Sequence, residues 1–312
     1  MILIPVAFFS ALFMAWTVGA DSASPSFGPV VSSRAMGILR STLVVGISAF
    51  LGAFFQGERV TNTLSSGFVD GVSPGPVQAV LILLVSATMI ALGVWRHLPI
   101  PTAYTLVGAT IGAGLGMGGT LDVPQVSTVF AYWLALPLIS GLIGYSVSLF
   151  LRSFVPKNND SKRYLRPILI GVAIYTAFTA GATQVGLAVG PLVNAVNFPL
   201  RWLLALGGLG IILGAWTGSP KIIHAVARDY ADLGLRRSIA ALVGTSLLAQ
   251  GASLIGIPIS FNAAILGAVV GSGLVAEEAE IGTEKIRSTA ASWVLTFATS
   301  FGLVFSLQYF LL

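Results

Sequence analysis

Two short polar clusters sit inside apolar sequence, where polar groups are costly, and their residue types suit anion binding. Thr102 follows Pro99-Ile100-Pro101, while Ser260 and Asn262 follow Pro258-Ile259. Proline suits the first turn of a helix and breaks an interior one, so each cluster marks a helix start within an apolar segment. Such a start exposes unpaired backbone N–H groups and carries about half a positive charge, enough to hold an oxyanion without a basic side chain. Two starts near Thr102 and Ser260, aimed at one site, would add the Thr102 and Ser260 hydroxyls and the Asn262 amide as donors. Ser22, Ser24 and Gln184 could complete the shell from a second pair of motifs. The ordinary alternative for every hydroxyl here is a bond to its own helix or packing between helices.

Asp21 is the acidic residue lodged in the first of those other motifs. An ionisable group inside a membrane is expensive, so function is the default reading. Asp21 could bind Na+ beside unwound carbonyls or carry a proton; alternatively it is solvated at a span end or caps the next helix. Thr183 stands at the equivalent position of the second motif, which makes Asp21 and Thr183 the coupling-ion pair with its acidic symmetry lost. Nothing points to an enzyme: the chain has 0 Cys, and no Walker loop, nucleophile elbow or zinc signature. His97 and His224 have no carboxylate or second histidine nearby in sequence, so no metal site and no cofactor is expected. Glu58 and Arg59 read as an interfacial pair, and Glu277, Glu278 and Glu280 as a loop face.

The elements that must position these residues are membrane helices. The chain is 55% hydrophobic and 9% charged, with a mean hydropathy of +0.92, against about a quarter charged residues in a soluble domain. Stretches 79–95, 127–151, 167–182 and 202–216 carry no Asp, Glu, Lys or Arg, and about 20 apolar residues cross a bilayer as helix. Continuous rather than alternating apolar runs exclude a barrel. The net charge of +5 sits in loops, as the positive-inside rule expects, and does not indicate nucleic acid. Residues 1–20 resemble a signal-peptide core, with Val18-Gly19-Ala20 as a cleavage site; recurrence of the same pattern in mid-chain favours retention as a first span.

The two halves carry matched punctuation. Gly19-Ala20…Gly28-Pro29 pairs with Gly181-Ala182…Gly190-Pro191; Pro99…Gly108-Ala109…Gly112 pairs with Pro258…Gly267-Ala268…Gly271; Trp133 pairs with Trp293. We read five hydrophobic units per half, at 2–20, 35–56, 77–95, 98–119 and 126–151, then 167–189, 201–217, 238–255, 258–276 and 287–311. The expected fold is therefore an all-α polytopic membrane protein of two inverted repeats, 1–152 and 167–312, joined by a cytoplasmic linker at 153–166, with re-entrant or broken helices at the motifs. Glycines from Gly108 to Gly119 are too dense for an undisturbed span, and fit either close helix packing or a break. Trp95, Trp133, Trp202, Trp216 and Trp293 fall near unit ends, where interfacial aromatic belts form.

At these residues the chain resembles the inorganic phosphate transporter (PiT) family. That family carries Gly-Ala-Asn-Asp-x-Ala-Asn-Ala-x-Gly and Pro-Val-Ser-Thr-Thr-His once per half. The first appears here as Gly19-Ala20-Asp21-Ser22-Ala23-Ser24-Pro25-Ser26-Phe27-Gly28 and Gly181-Ala182-Thr183-Gln184-Val185-Gly186-Leu187-Ala188-Val189-Gly190. The second appears as Pro99-Ile100-Pro101-Thr102-Ala103-Tyr104 and Pro258-Ile259-Ser260-Phe261-Asn262-Ala263. Ser22 and Gln184 replace the family's Asp, and Pro25 and Leu187 its second Asn; Thr102 and Ser260 keep hydroxyls in the second motif. The resemblance implies a multi-pass secondary transporter of the cell membrane, carrying phosphate on a Na+ or H+ gradient, and a homodimer. The substituted ligands leave sulfate or another small oxyanion, or a non-transporting membrane scaffold, as alternatives.

Overall fold

The computed structural model describes residues 3–96, 100–156, 158–220, 234–275 and 283–311, with side chains described except at 22–24 and 283–290. Pro99, His97 and His224 lie outside the described residues, as do Glu277, Glu278 and Glu280. Among the described residues the protein is a bundle of helices with one small antiparallel pair, β1 (Val69–Asp70) with β2 (Thr120–Leu121).

Helix α1 spans Leu3–Val18 and then breaks: a π turn covers Gly19–Ala23 and a 3₁₀ turn Ser24–Phe27 before the short α2, Gly28–Ser32. Pro25 is the cause, since it has no N–H and its ring collides with the carbonyl four residues back, that of Asp21. The neighbouring Asp and Ser side chains compete for backbone groups and weaken the helix further. The second copy of the motif has Leu187 where the first has Pro25, and it lies in an unbroken α8, Asn159–Val193.

Between these come α3 (Ile38–Gln56), α4 (Glu58–Ser66), α5 (Pro76–Arg96), α6 (Thr102–Gly116) and α7 (Val123–Phe154). After α8 follow α9 (Leu200–Thr217), α10 (Gly234–Ile255), α11 (Phe261–Gly273) and α12 (Thr283–Leu311). Eight helices among the described residues are long and apolar enough to cross a membrane. The units expected at 98–119 and 258–276 are the exceptions. They form α6, 15 residues, and α11, 13 residues, about 22 and 20 Å long at 1.5 Å per residue, short of the roughly 30 Å hydrocarbon core. The polar stretch 153–166 is largely helical, because α7 runs to Phe154 and α8 begins at Asn159. Asn158 starts α8 by accepting from the Ser161 N–H at 2.8 Å, which leaves 155–158 as the connection.

Packing crosses between the halves at matching positions. A Cβ on Gly19 would lie 2.1 Å from the Ile211 carbonyl oxygen, and one on Gly181 would lie 1.8 Å from that of Ala49. Likewise Gly52 abuts the Phe178 carbonyl and Gly214 the Trp16 carbonyl. So α1 packs on α9 as α3 packs on α8. The short helices repeat the arrangement: Gly108 and Gly112 of α6 meet the Phe297 and Phe301 carbonyls of α12, while Gly267 and Gly271 of α11 meet the Pro137 and Gly141 carbonyls of α7. Between apolar helices in lipid, contact this close supplies the association energy. The dense glycines of α6 thus serve packing, and the helix through them is continuous; every α6 residue but Leu115 is buried.

The ends of the bundle are fixed by arginines. Arg152 and Arg236 donate to the Val275 and Val155 carbonyls, each at 2.6 Å, so the α7–α8 connection lies beside the start of α10 and the end of α11. At the other end of α10, Arg59 reaches the Leu254 carbonyl.

Candidate functional site

The starts of α6 and α11 come from different halves and meet. The Thr102 hydroxyl, on the first residue of α6, donates to Gln184 Oε1 at 2.9 Å. Gln184 Nε2 in turn donates to the Ile259 carbonyl at 2.9 Å, two residues before α11. Asn262 Nδ2, in the first turn of α11, donates to Asp21 Oδ2 at 2.6 Å and to the Ile100 carbonyl at 3.3 Å. Asp21 comes from the break after α1 and Gln184 from the continuous α8. Four segments therefore converge on one buried polar cluster.

Most of the residues singled out in the sequence are gathered here: Asp21, Thr102, Gln184, Ser260 and Asn262 are all buried. Asp21 is the only acidic or basic side chain buried among the described residues, at 2% exposure. With no Lys or Arg in that buried set, the positive end for an anion must come from helix starts and the donors on them. The two starts differ. Ser260 Oγ accepts from the Ala263 N–H at 3.3 Å and so caps α11, whereas α6 begins behind Pro101 without a side-chain cap.

Other expected contributors are placed differently. The Thr183 hydroxyl donates to the Thr179 carbonyl at 2.9 Å and the Ala180 carbonyl at 3.2 Å, both in its own helix. The structure does not bring that hydroxyl into the cluster. The side chains of Ser22 and Ser24 lie outside the described set, although both residues sit in the break after α1. Asn262 Oδ1 is buried and has no hydrogen-bond partner among the described residues.

Sequence reasoning missed three features. The Ile100 and Ile259 carbonyls act through the backbone, and their only signal was the prolines beside them, at which a helix cannot continue. Trp133 was assigned to an interfacial belt; instead it is buried at 6% exposure, and its indole N–H donates to the Pro258 carbonyl at 3.0 Å. An indole N–H taken from water seeks such a partner. Tyr104 packs on both repeat tryptophans, with ring centroids 4.0 Å from Trp133 and 5.7 Å from Trp293. The paired positions of the two tryptophans were the available clue.

Comparison with known proteins matches the same two-part layout. A protein of Pyrococcus furiosus named as a candidate phosphate permease is 25% identical over 91% of this chain and 90% of its own length. One of Haemophilus influenzae, similarly named, is 23% identical over 91% and 90%. A solved structure of a sodium-dependent phosphate transporter superposes with a TM-score of 0.88 at 21% identity, covering 100% of both chains. The model of the phosphate transporter family matches residues 18–169 and again residues 156–304. With both repeats matched in order and nearly the whole length covered, this chain belongs to the phosphate transporter family.

Proposed function

We propose that the protein is a secondary permease that carries inorganic phosphate across the cell membrane on a cation gradient. The observation that carries this reading is the meeting of the α6 and α11 starts, from opposite halves, at a cluster holding the buried Asp21. Helix starts attract the anion, and Asp21 takes the cation whose gradient drives transport. The sodium-dependent character of the structural neighbour supports Na+ as that cation, with H+ as the other outcome of the test. Thr102, Ser260, Asn262 and Gln184 form the substrate shell, with Ser22 and Ser24 beside Asp21 in the break.

The α7–α8 connection faces the cytoplasm on this reading, because Arg152, Lys162, Arg163, Arg166, Arg236 and Arg237 gather at its end of the bundle. The repeat halves 1–152 and 167–312 move against each other around the cluster during alternating access, and the protein works as a homodimer, as the resemblance implies.

The test is uptake of labelled phosphate by proteoliposomes holding the purified protein, with Na+ and pH gradients imposed separately. Saturable uptake that follows one gradient supports the proposal and names the ion. Its absence under both gradients would leave a membrane scaffold that shares the fold.

A further inference from the structure

Resting on the transport reading above, the Asn262 side chain carries an inference about which oxyanion the site accepts. Its amide nitrogen faces two acceptors, Asp21 Oδ2 at 2.6 Å and the Ile100 carbonyl at 3.3 Å. Only the NH2 end of the amide can face two acceptors, so its orientation is set by chemistry and Oδ1 must point the other way. That oxygen is buried without a partner among the described residues, on a residue 8% exposed. A buried acceptor left unpaired is costly in a low-dielectric interior, and its missing partner has to be a donor.

The site therefore asks two things of its ligand. The helix starts and the Thr102 hydroxyl, once it turns from Gln184, offer donors, which any oxyanion satisfies. Asn262 Oδ1 offers an acceptor, which among oxyanions only one that carries a hydrogen satisfies. Phosphate and arsenate keep at least one hydroxyl throughout the neutral pH range, whereas sulfate keeps none. A sulfate oxygen against Asn262 Oδ1 would set lone pair against lone pair. We propose that Asn262 Oδ1 is a specificity-determining acceptor that reads the hydroxyl of a hydrogen-bearing tetrahedral oxyanion and thereby rejects sulfate. Sites built to bond a substrate hydroxyl discriminate strongly against analogues that lack it, since the site's own polar group is then stranded.

The experiment uses the full-length protein in proteoliposomes, with labelled phosphate uptake competed by unlabelled phosphate, arsenate or sulfate. In the wild type, arsenate should compete within a few-fold of phosphate, and sulfate should need about 100-fold more. Asn262→Ser replaces the fixed acceptor with a hydroxyl that either donates or accepts, and sulfate's relative affinity should then rise by about tenfold or more. Sulfate competing as well as phosphate in the wild type overturns the proposal while phosphate transport stands. Unchanged selectivity in an active Asn262→Ser protein also overturns it. Should that variant fail to insert, the wild-type competition series decides alone. No saturable phosphate uptake in the wild type defeats the transport reading itself, and this proposal with it.

Discussion

Asp21 and Thr183 stand at matching positions of the two halves, as do Ile100 and Ile259, yet the surroundings of each pair differ. On the first-half side, Asp21 sits in a helix broken by Pro25, and the Ile100 carbonyl receives an amide N–H from Asn262. On the second-half side, Thr183 sits in a continuous helix with its hydroxyl bonded inward, and the Ile259 carbonyl receives an amide N–H from Gln184. Both carbonyls are satisfied by an amide. Only one of the two sides retains a carboxylate and a loosened backbone. A charge that must gain and lose a cation needs room to shift, which a broken helix gives. A neutral amide tied at both ends in an intact helix does not. The near-symmetry of the frame has therefore been kept while the ion chemistry, on the proposed function, is concentrated in one half.

The frame common to both halves is where a substitution should do most harm. Gly19→Leu and Gly181→Leu each drive a side chain into a carbonyl of the opposite half. No flexible group is there to yield, and a cost above about 4 kcal/mol follows. Neither variant should give a monodisperse peak on size-exclusion chromatography in detergent. Gly171→Ala, with nothing within 4 Å of its Cβ, is the matched control and should elute as wild type. If one of the two Leu variants folded and the other did not, the packing would be less symmetric than the contacts indicate.

Asp21→Asn tests the asymmetry itself. The new amide still accepts from Asn262, so melting in detergent should shift by no more than about 1 kcal/mol equivalent, while gradient-driven phosphate uptake falls at least about 100-fold. Adding Thr183→Asp should not restore uptake, because that position lies in the unbroken α8. Restoration would show that the halves are interchangeable.

Much of this was legible in the sequence, and the reasons for what was not are physical. Paired Gly and Pro landmarks are punctuation that only a few backbone geometries tolerate, so the repeats, the helix starts at Thr102 and near Ser260, and the membrane class could be read directly. The convergence of Asp21, Thr102, Gln184 and Asn262 followed from the repeats, although no local pattern gave their pairing across halves. The orientation of the Thr183 hydroxyl was not legible because it has two outlets, the site or the carbonyl one turn back, and spacing cannot choose between them. Trp133 read as a belt residue because hydropathy sees a tryptophan near a unit end and not the bare Pro258 carbonyl that it bonds.

Gln184→Leu probes the neutral side of the comparison. It leaves the Thr102 hydroxyl without its acceptor and the Ile259 carbonyl without its donor. Losing both bonds, with the Ile259 carbonyl left unpaired by the change, should cost about 1–3 kcal/mol, read as a lowered melting temperature in detergent. The amide ties the start of α6 to the approach to α11, so uptake should also fall by about tenfold, less than for Asp21→Asn. An equal loss in the two variants would mean that the amide side is as central to transport as the carboxylate.

Thr183→Val should have the smallest effect, and its smallness is informative. Valine keeps the shape and the β-branch, and the bonds removed run to the Thr179 and Ala180 carbonyls of the same helix. Those carbonyls already accept helical N–H groups, so nothing is stranded, and the change should stay within about 0.5 kcal/mol. Uptake should remain within twofold of wild type at every Na+ concentration tested. Suppose instead that uptake collapses while melting is unchanged. The hydroxyl would then have to leave its helix and enter the cluster at some stage of the cycle. Thr183 would act as the counterpart of Asp21 in one state and as helix filler in another, and the division between an ion-handling half and a fixed half would describe a single conformation rather than the transport cycle.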